Sequence, residues 1–487
     1  MLVLLLPPLL IYSHDPFYDD CCVKQPQLPT YVLASDGYAN VNVSEANQII
    51  ETNPYLVILD VRTLEEYNEG HIENAVLIPV SELESRLDEL DSEKDTLVYC
   101  RSGGRSATAS QILVDNGFVS VYNMLEGIIG WTNEGYIVYV KYSSIQEAIN
   151  NTAEGGTIYI SSGTYHENVI INNAITLIGE NKRNTIIDGG NIGKVVQITV
   201  NDTEIRGFTI QKAGFTPWGS DSGIYVTSSN NAITDNFIVD NDDWAIWLDS
   251  FSSNNTITQN EMTSNWRGCM LKDTSRNTLA ENNITNHGQD GICLWNSSQN
   301  VVTDNNISSN VDGVALTSSH NNNITSNNIT NNLHGVSVDS SSNNRLYHNN
   351  FINNNQQVFL FTFVGTNLWD DGYSSGGNYW SEYSGADNFS GSFQNITGSD
   401  GIGDEPYIID ADNIDRYPLM NPWIAELLKT DLNNDGTINI LDISIVAMAF
   451  GSTPEDPDWN QIADLNNDEI INILDISTIA MEFGKTV

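Results

Sequence analysis

The 487-residue chain sets 63 Asp and Glu against 19 Lys and Arg, a formal net charge of -44. Such a surface repels phosphate backbones and anionic membranes, which excludes nucleic acid as a partner, while 40% hydrophobic residues over this length supply cores for about three domains. The carboxylates suit hard cations, although a uniformly acidic proteome gives the same charge.

Residues 1–38 open with an apolar stretch, Met1 to Tyr12 (MLVLLLPPLLIY), that is too short to span a bilayer and is broken by Pro7 and Pro8. It reads as a clipped or weak signal peptide, which predicts an extracellular or cell-surface protein. The missing basic region and cleavage pattern leave a plain apolar tail as the alternative. The five cysteines, Cys21, Cys22, Cys100, Cys269 and Cys293, follow no framework spacing, so disulfides do not hold the fold.

Residues 39–139 alternate short apolar runs with helical patterns, the punctuation of an α/β domain. Strands are predicted at Leu56 to Leu59, Ala75 to Ile78 and Leu97 to Tyr99. Helices are predicted from Ser44-Glu45 and from Ser106 onward, the latter closed by Gly117. Between the last strand and that helix lies Cys100-Arg101-Ser102-Gly103-Gly104-Arg105-Ser106. Two glycines let the backbone N–H groups converge, and a helix N-terminus with two arginines adds positive potential. A thiol held there is a thiolate beside an anion site.

These residues, together with Asp60-Val61-Arg62, Glu66-Tyr67, Gly70-His71-Ile72 and Ile78-Pro79, resemble the rhodanese family along all of 39–139. The resemblance implies a thiosulfate sulfurtransferase-like activity in which Cys100 takes sulfur from a small sulfane donor as a transient persulfide. It implies that Asp60 and Arg62 brace the loop, that Arg101 and Arg105 face the anionic substrate, and that His71 is scaffold. Four residues between Cys100 and Arg105 set the loop apart from phosphatase relatives, whose loop is one residue longer. Rhodanese-like modules that only bind or regulate keep a non-catalytic reading open.

Residues 140–425 change to Asn, Ser, Thr, Ile and Gly. A small residue followed by alternating apolar positions recurs at Gly223, Ala245, Gly268, Gly291, Gly313 and Gly335, spaced by 22 or 23 residues, so one repeat is one coil. Asn236, Asn260, Asn282, Asn305, Asn327 and Asn349 recur in step and should stack as a ladder of amides about 4.8 Å apart. The alternation turns Ile224/Val226, Ile246/Leu248, Cys269/Leu271, Ile292/Leu294, Val314/Leu316 and Val336/Val338 inward. Cys293 then points outward and cannot pair with Cys269. Asn-x-Ser/Thr triplets at Asn255, Asn283, Asn306 and Asn328 are either glycan acceptors or by-products of the turns.

Outward columns bring Tyr225, Trp247, Asp249, Arg267, Lys272, Asp290, Trp295 and Asp312 to one face. Indoles stack on pyranose rings and carboxylates accept hydroxyl protons, so the strip is a candidate polysaccharide groove, with a plain aromatic cover of the sheet as the alternative. Residues 143–425 resemble the NosD-like family of carbohydrate-binding and sugar-hydrolase repeats, from Ser144-Ile145-Gln146-Glu147-Ala148 to Gly377-Asn378-Tyr379-Trp380 and Arg416-Tyr417-Pro418-Leu419. That implies a right-handed parallel β-helix, with polysaccharide hydrolase or lyase chemistry open. Seven scattered histidines and few methionines form no copper cluster, so the family's copper association is not carried over. Residues 355–425 leave the repeat and are predicted to cap the coil.

Residues 426–487 repeat a loop. Asp431, Asn433, Asp435, Thr437 and Asp442 stand at positions 1, 3, 5, 7 and 12, and Asp464, Asn466, Asp468, Ile470 and Asp475 follow 33 residues later. Oxygen ligands so spaced wrap Ca2+, position 7 through its backbone carbonyl. Helices are predicted at Ile443 to Phe450 and Ile476 to Phe483. The paired units resemble type I dockerins, which implies two calcium sites and a cohesin-bearing scaffold or surface partner met by Ile440, Leu441, Ile473 and Leu474. Glu469 in place of Gly436 weakens the second loop.

The fold class is thus multidomain: an α/β rhodanese-like domain, a parallel β-helix and a small helical calcium-binding dockerin. The function read from it is a secreted or surface-attached sulfurtransferase. Two alternatives stand: a carbohydrate-binding or carbohydrate-cleaving, cellulosome-like component with an auxiliary rhodanese module, and a purely adhesive assembly part.

Overall fold

Short buried strands joined by helices close as a parallel sheet, because each crossover helix must return the chain to the same sheet edge. The computed structural model describes residues 37–487 except 218, 362–363, 425–429, 434–436, 455, 457–458, 467–469 and 484–487. Met1 to Tyr12, Cys21 and Cys22 lie outside the described residues. The described residues fall into two units, 37–67 with 74–138, and 68–73 with those from 139 onward.

In the first unit β1 (Ala39–Val41), β2 (Val57–Asp60), β3 (Val76–Leu77), β4 (Thr96–Tyr99) and β5 (Val121–Met124) form an all-parallel sheet in the order β1-β5-β4-β2-β3. Central β4 is buried at every residue, and its carboxyl end delivers the chain to Cys100. Helix α1 (Val43–Thr52) starts one residue before Ser44. Asn42 is its cap: the Asn42 side chain accepts from Glu45 N–H at 2.9 Å while the Glu45 carboxylate accepts from Asn42 N–H at 2.8 Å. Helices α2 (Leu64–Glu69), α3 (Gly104–Asp115) and α4 (Gly127–Asn133) complete the unit.

In the second unit α5 (Ile145–Asn151), capped by Ser144, puts Ile145, Ala148 and Ile149 onto the first rung of a β-helix. From the sequence no helix is predicted here. Three parallel sheets of ten, nine and nine strands then stack, with Ile224, Ile246, Cys269, Ile292, Val314 and Val336 paired rung to rung and fully buried. The small column is explained by close approach: a Cβ on Gly268 would sit 2.0 Å from the Gly291 carbonyl oxygen.

The asparagine ladder runs from Asn236 to Asn349, each Nδ2 donating to the next Oδ1 at 2.9 to 3.1 Å. A second ladder, Asn231, Asn255, Asn277, Asn300, Asn322, Asn344 and Asn367, was not read from the sequence. A third runs Asn241, Asn265, then Asn310, Asn332 and Asn354, and is interrupted by His287. Buried His287 keeps its Nε2 without a partner, and burial pushes its imidazole down to about 4. The residue before each asparagine of the first ladder has φ between +51° and +59°, so the amide braces a left-handed corner. Asn255, one of the glycan-acceptor candidates, is 1% exposed inside its ladder.

The coil runs through the strand Gln356–Leu360, six residues into the segment assigned to the cap. Beyond it Trp380 stacks between Phe351 at 4.4 Å and Tyr407 at 4.2 Å and closes the core. At the C-terminus α6 (Ile440–Met448) and α7 (Ile473–Glu482) enclose Ile438, Val446, Ile471 and Ile479. Among the described residues no helix is long and apolar enough to cross a membrane.

Asn305 donates to Leu279 O, Thr303 O and Asn327 Oδ1 and accepts from the Asn282 backbone and side chain, all buried except the part-buried bond to Thr303. Asn305→Ala strands these groups at about 1 kcal/mol or more each and should lower unfolding free energy in urea by roughly 3 kcal/mol. Asn306→Ala, exposed beside it, should cost less than about 0.5 kcal/mol.

Candidate functional site

A thiol at the carboxyl end of a central parallel strand meets the N-terminus of the next helix, which here is α3. Gly103 caps α3 at φ +91°, and a Cβ there would fall 1.8 Å from the Leu125 carbonyl oxygen, so the loop requires glycine. The first N–H groups of α4 take the carbonyls at the loop's start: Ile128 N–H donates to Cys100 O at 2.8 Å and Ile129 N–H to Arg101 O at 3.2 Å. With those carbonyls anchored, the N–H groups of Ser102, Gly103 and Ser106 turn to the Cys100 sulfur, and the Ser106 hydroxyl stands 3.5 Å from it. The anchoring by α4 was missed from the sequence, where Gly127-Ile128-Ile129 was its only trace.

Cys100 is 1% exposed. Burial pushes its thiol up, but the Ser106 hydroxyl and the three N–H groups outweigh burial and hold it below the ordinary thiol value. Arg101, Ser102 and Gly104 are exposed at the rim, and Ser106 is buried. Asp60 and Arg62 form a buried pair with each other at 2.6 Å, and the guanidinium lies 5.5 Å over the ring of Tyr99, the residue before Cys100. Arg105 is not left to an incoming anion alone. Glu66 grips it with two hydrogen bonds, at 2.7 and 2.6 Å, and Arg105 in turn holds the Glu66 carboxyl down to about 2.

His71, in the second unit, is fully buried with Nε2 3.1 Å from Glu180 and its backbone bridged to Tyr139.

On the β-helix, Trp247, Arg267, Lys272, Asp290 and Trp295 line one cleft of about 560 Å³, joined by Asp243, Trp244, Trp266 and the loop at Phe215 and Pro217. The outward face is not exposed along its whole length. Trp247, Met270, Cys293 and Ala315 are each at most 8% exposed, because Trp244 packs edge-on against Trp247 at 5.8 Å and the column buries itself as a second small core. Trp295 and Trp266 remain about half exposed at the mouth.

Tyr225 and Asp249 do not line the cleft; they bond each other at 2.6 Å. Asp312 is taken by His334 Nδ1 at 2.6 Å and Ser337 Oγ at 2.7 Å. Burial pushes Asp243 up to about 6 against the pull of Arg267 at 3.0 Å. Burial, and then the Asp312 charge, push Asp290 up to about 6. The buried Trp247 indole N–H has no partner. The loop at Phe215 had a trace in the sequence: that coil is longer than its neighbours.

At the C-terminus Asp431, Asp442, Asp464 and Asp475 are at most 8% exposed. Both helices begin three residues before the expected start, because Asn439 and Asn472 cap them and the position-12 carboxylates close capping boxes: Asp442 accepts from Asn439 N–H and Asp475 from Asn472 N–H, each at 2.8 Å. The position-7 carbonyls of Thr437 and Ile470 each accept an asparagine amide at 2.9 Å. Asn433 and Asn466 donate their N–H groups to Asp442 and Asp475. Asp435, Asp468, Gly436 and Glu469 lie outside the described residues.

Buried carboxylates with an all-oxygen donor set fit a hard cation such as Ca2+. Among the coil histidines, His287 is sealed in a ladder, His320 bonds Ser342, His334 bonds Asp312 and His348 stacks on Trp423, while His166 is exposed 4.0 Å from Asp188.

Residues 42–134 match the family described as rhodanese-like domain, residues 183–385 the periplasmic copper-binding protein (NosD) family, and residues 429–483 the dockerin type I domain. The chain is 35% identical over 94 residues to thiosulfate sulfurtransferase GlpE of Coxiella burnetii, covering 87% of that protein and 19% of this chain. It is also 35% identical to YrkF of Bacillus subtilis, of which it spans about half the length, 51%. Among solved structures, a rhodanese-related protein of Thermoplasma volcanium is 34% identical, with all of that chain and 21% of this one covered and a TM-score of 0.20. The chain belongs to the rhodanese-like family through its first domain, and carries after it a NosD parallel β-helix and a type I dockerin domain.

Proposed function

We propose that this protein is a sulfurtransferase held outside the cytoplasm by its dockerin, with a β-helix that grips polysaccharide. The observation that carries the first part is the cradle of three N–H groups and the Ser106 hydroxyl around Cys100. The Cys100 thiolate attacks the outer sulfur of a sulfane donor. The donor's S–S bond breaks, its electron pair leaves with the departing sulfite or thiolate, and a persulfide remains on Cys100. The N–H groups that favoured the thiolate then hold the persulfide anion. Arg101 at the rim meets the donor's charge. A thiol or cyanide attacks the outer sulfur next and returns Cys100 to the thiolate.

With excess thiosulfate or cysteine persulfide, intact-mass spectrometry should show one added sulfur on the wild-type chain and none on Cys100→Ser, whose turnover should fall roughly a thousandfold or more. No sulfur gain from either donor leaves the domain a binding module.

The dockerin loops support calcium-dependent attachment to a cohesin. When bound, the ion would be held by Asp431, Asn433, Asp442 and the Thr437 carbonyl, and by their counterparts Asp464, Asn466, Asp475 and the Ile470 carbonyl, neutralising buried carboxylates that otherwise repel. Ile440, Leu441, Ile473 and Leu474 are 54 to 63% exposed and offer the apolar contact. Calcium should raise helical circular dichroism and protease resistance of the C-terminal residues, and EDTA should reverse both. Asp442→Ala with Asp475→Ala should abolish calcium uptake in calorimetry, and uptake unchanged in that variant overturns the assignment.

The tryptophan-lined cleft supports glycan binding, with Trp295 and Trp266 as stacking platforms and the Trp247 N–H and Asp290 as hydrogen-bonding groups. On affinity gels with uncharged polysaccharides, Trp295→Ala should weaken retention about tenfold. Retention of every bound polysaccharide unchanged in that variant removes the cleft from consideration.

A further inference from the structure

The charges around Cys100 are nearly all matched, and this bears on which sulfur donor the site accepts. A buried carboxylate, Asp60, neutralises Arg62 at 2.6 Å. Glu66 pairs with Arg105 through both terminal guanidinium nitrogens, at 2.7 and 2.6 Å, while the same guanidinium also bonds the Cys100 sulfur more weakly. Arg101 is the remaining guanidinium of the loop, exposed and without an ion pair among the described residues, and its charge equals that of the Cys100 thiolate. The site therefore offers no surplus positive charge when the nucleophile is ready to attack.

A thiosulfate dianion approaching that thiolate meets Arg101 as the one loop guanidinium without a carboxylate partner among the described residues, so its repulsion is only partly offset, inside a chain whose net charge is -44. An organic persulfide, R–S–SH, brings at most one negative charge to its transferable sulfur and suffers far less. The grip on Arg105 is also built into the fold rather than a loose surface contact. Glu66 stands at the third position of α2 and accepts the Thr63 N–H at 3.1 Å while Thr63 Oγ1 accepts the Glu66 N–H at 3.3 Å. The capping box thus fixes the carboxylate where Arg105 meets it.

We infer that Cys100 draws its sulfur from an organic persulfide in preference to thiosulfate, and that Glu66 is the positioning residue that sets this preference through Arg105. The inference rests on the sulfurtransferase reading above. The step balances as Cys100–S⁻ with R–S–SH giving Cys100–S–SH and R–S⁻: the donor's S–S bond breaks, its electron pair leaves with R–S⁻, and the proton stays on the transferred sulfur. No oxidant or reductant is needed.

The test measures the rate of Cys100 persulfide formation by rapid-quench intact mass on the full chain, with cysteine persulfide and with thiosulfate as donors. Wild type should load faster from cysteine persulfide. Glu66→Gln keeps an oxygen to accept the Thr63 N–H but removes the charge, so it should raise thiosulfate loading roughly five- to tenfold and change persulfide loading less than about twofold. In wild type, raising KCl from ~0.05 to ~0.5 M should speed thiosulfate loading and leave persulfide loading nearly unchanged. Faster loading of wild type from thiosulfate, slower thiosulfate loading in high salt, or a Glu66→Gln effect equal on both donors overturns the inference. Loading from neither donor overturns the sulfurtransferase reading instead.

Discussion

Most of this molecule depends on one constraint, the register of parallel strands stacked about 4.8 Å apart. Once identical positions lie on top of one another, every choice at a position is made against its copies above and below. A glycine column permits carbonyls to approach from the next rung, and an asparagine column lets each amide satisfy its neighbour. Three such ladders leave the polar corners of the coil paired, so a core of isoleucine, leucine and valine can run unbroken from Ile145 to Trp380. A repeat with other amides at these corners would strand buried donors at each rung.

The same economy of charge governs the sites. Few of the 63 carboxylates have a cationic partner available, so the structure satisfies the buried ones with backbone N–H groups, with the 19 Lys and Arg, or with a proton. Asp442 and Asp475 sit on N–H groups, Asp60 and Glu66 take arginines, and Asp290 is pushed toward the protonated form. Cys100 follows the first of these routes, its charge held by backbone dipoles. This solution lets the guanidiniums nearby be spent elsewhere.

What was legible in the sequence was what repeats or what forms a contiguous motif. The inward core pairs, the first ladder, the order of the three domains and the loop from Cys100 to Ser106 are all local or periodic patterns. Contacts between distant segments were not legible. The grip of Glu66 on Arg105, the α4 anchoring of the Cys100 and Arg101 carbonyls, and the burial of Trp247 under Trp244 each join residues whose proximity no spacing encodes. The second and third ladders are a different failure: their asparagines recur with the same period but lie amid so many others in this Asn-rich text that the column could not be singled out. The dockerin helix starts were misplaced because position 12 serves both the loop and the helix cap, and either role alone gives a different boundary.

The imidazole of His287 breaks the third ladder midway along the coil, and this has a consequence for how the solenoid fails. Its neighbours in that ladder, Asn265 and Asn310, are neutral amides that no ordinary acidity alters. At His287 burial lowers the imidazole to about 4 in the folded chain against 6.5 for the free group, so the unfolded chain binds the proton more readily between those values. Folding strength contributed at this rung is complete above about 6.5 and drains away as acidity rises toward 4. Since each rung leans only on its two neighbours, the loss is not shared along the stack. Acid therefore weakens the third ladder at His287, while the asparagine rungs on either side keep their bonds.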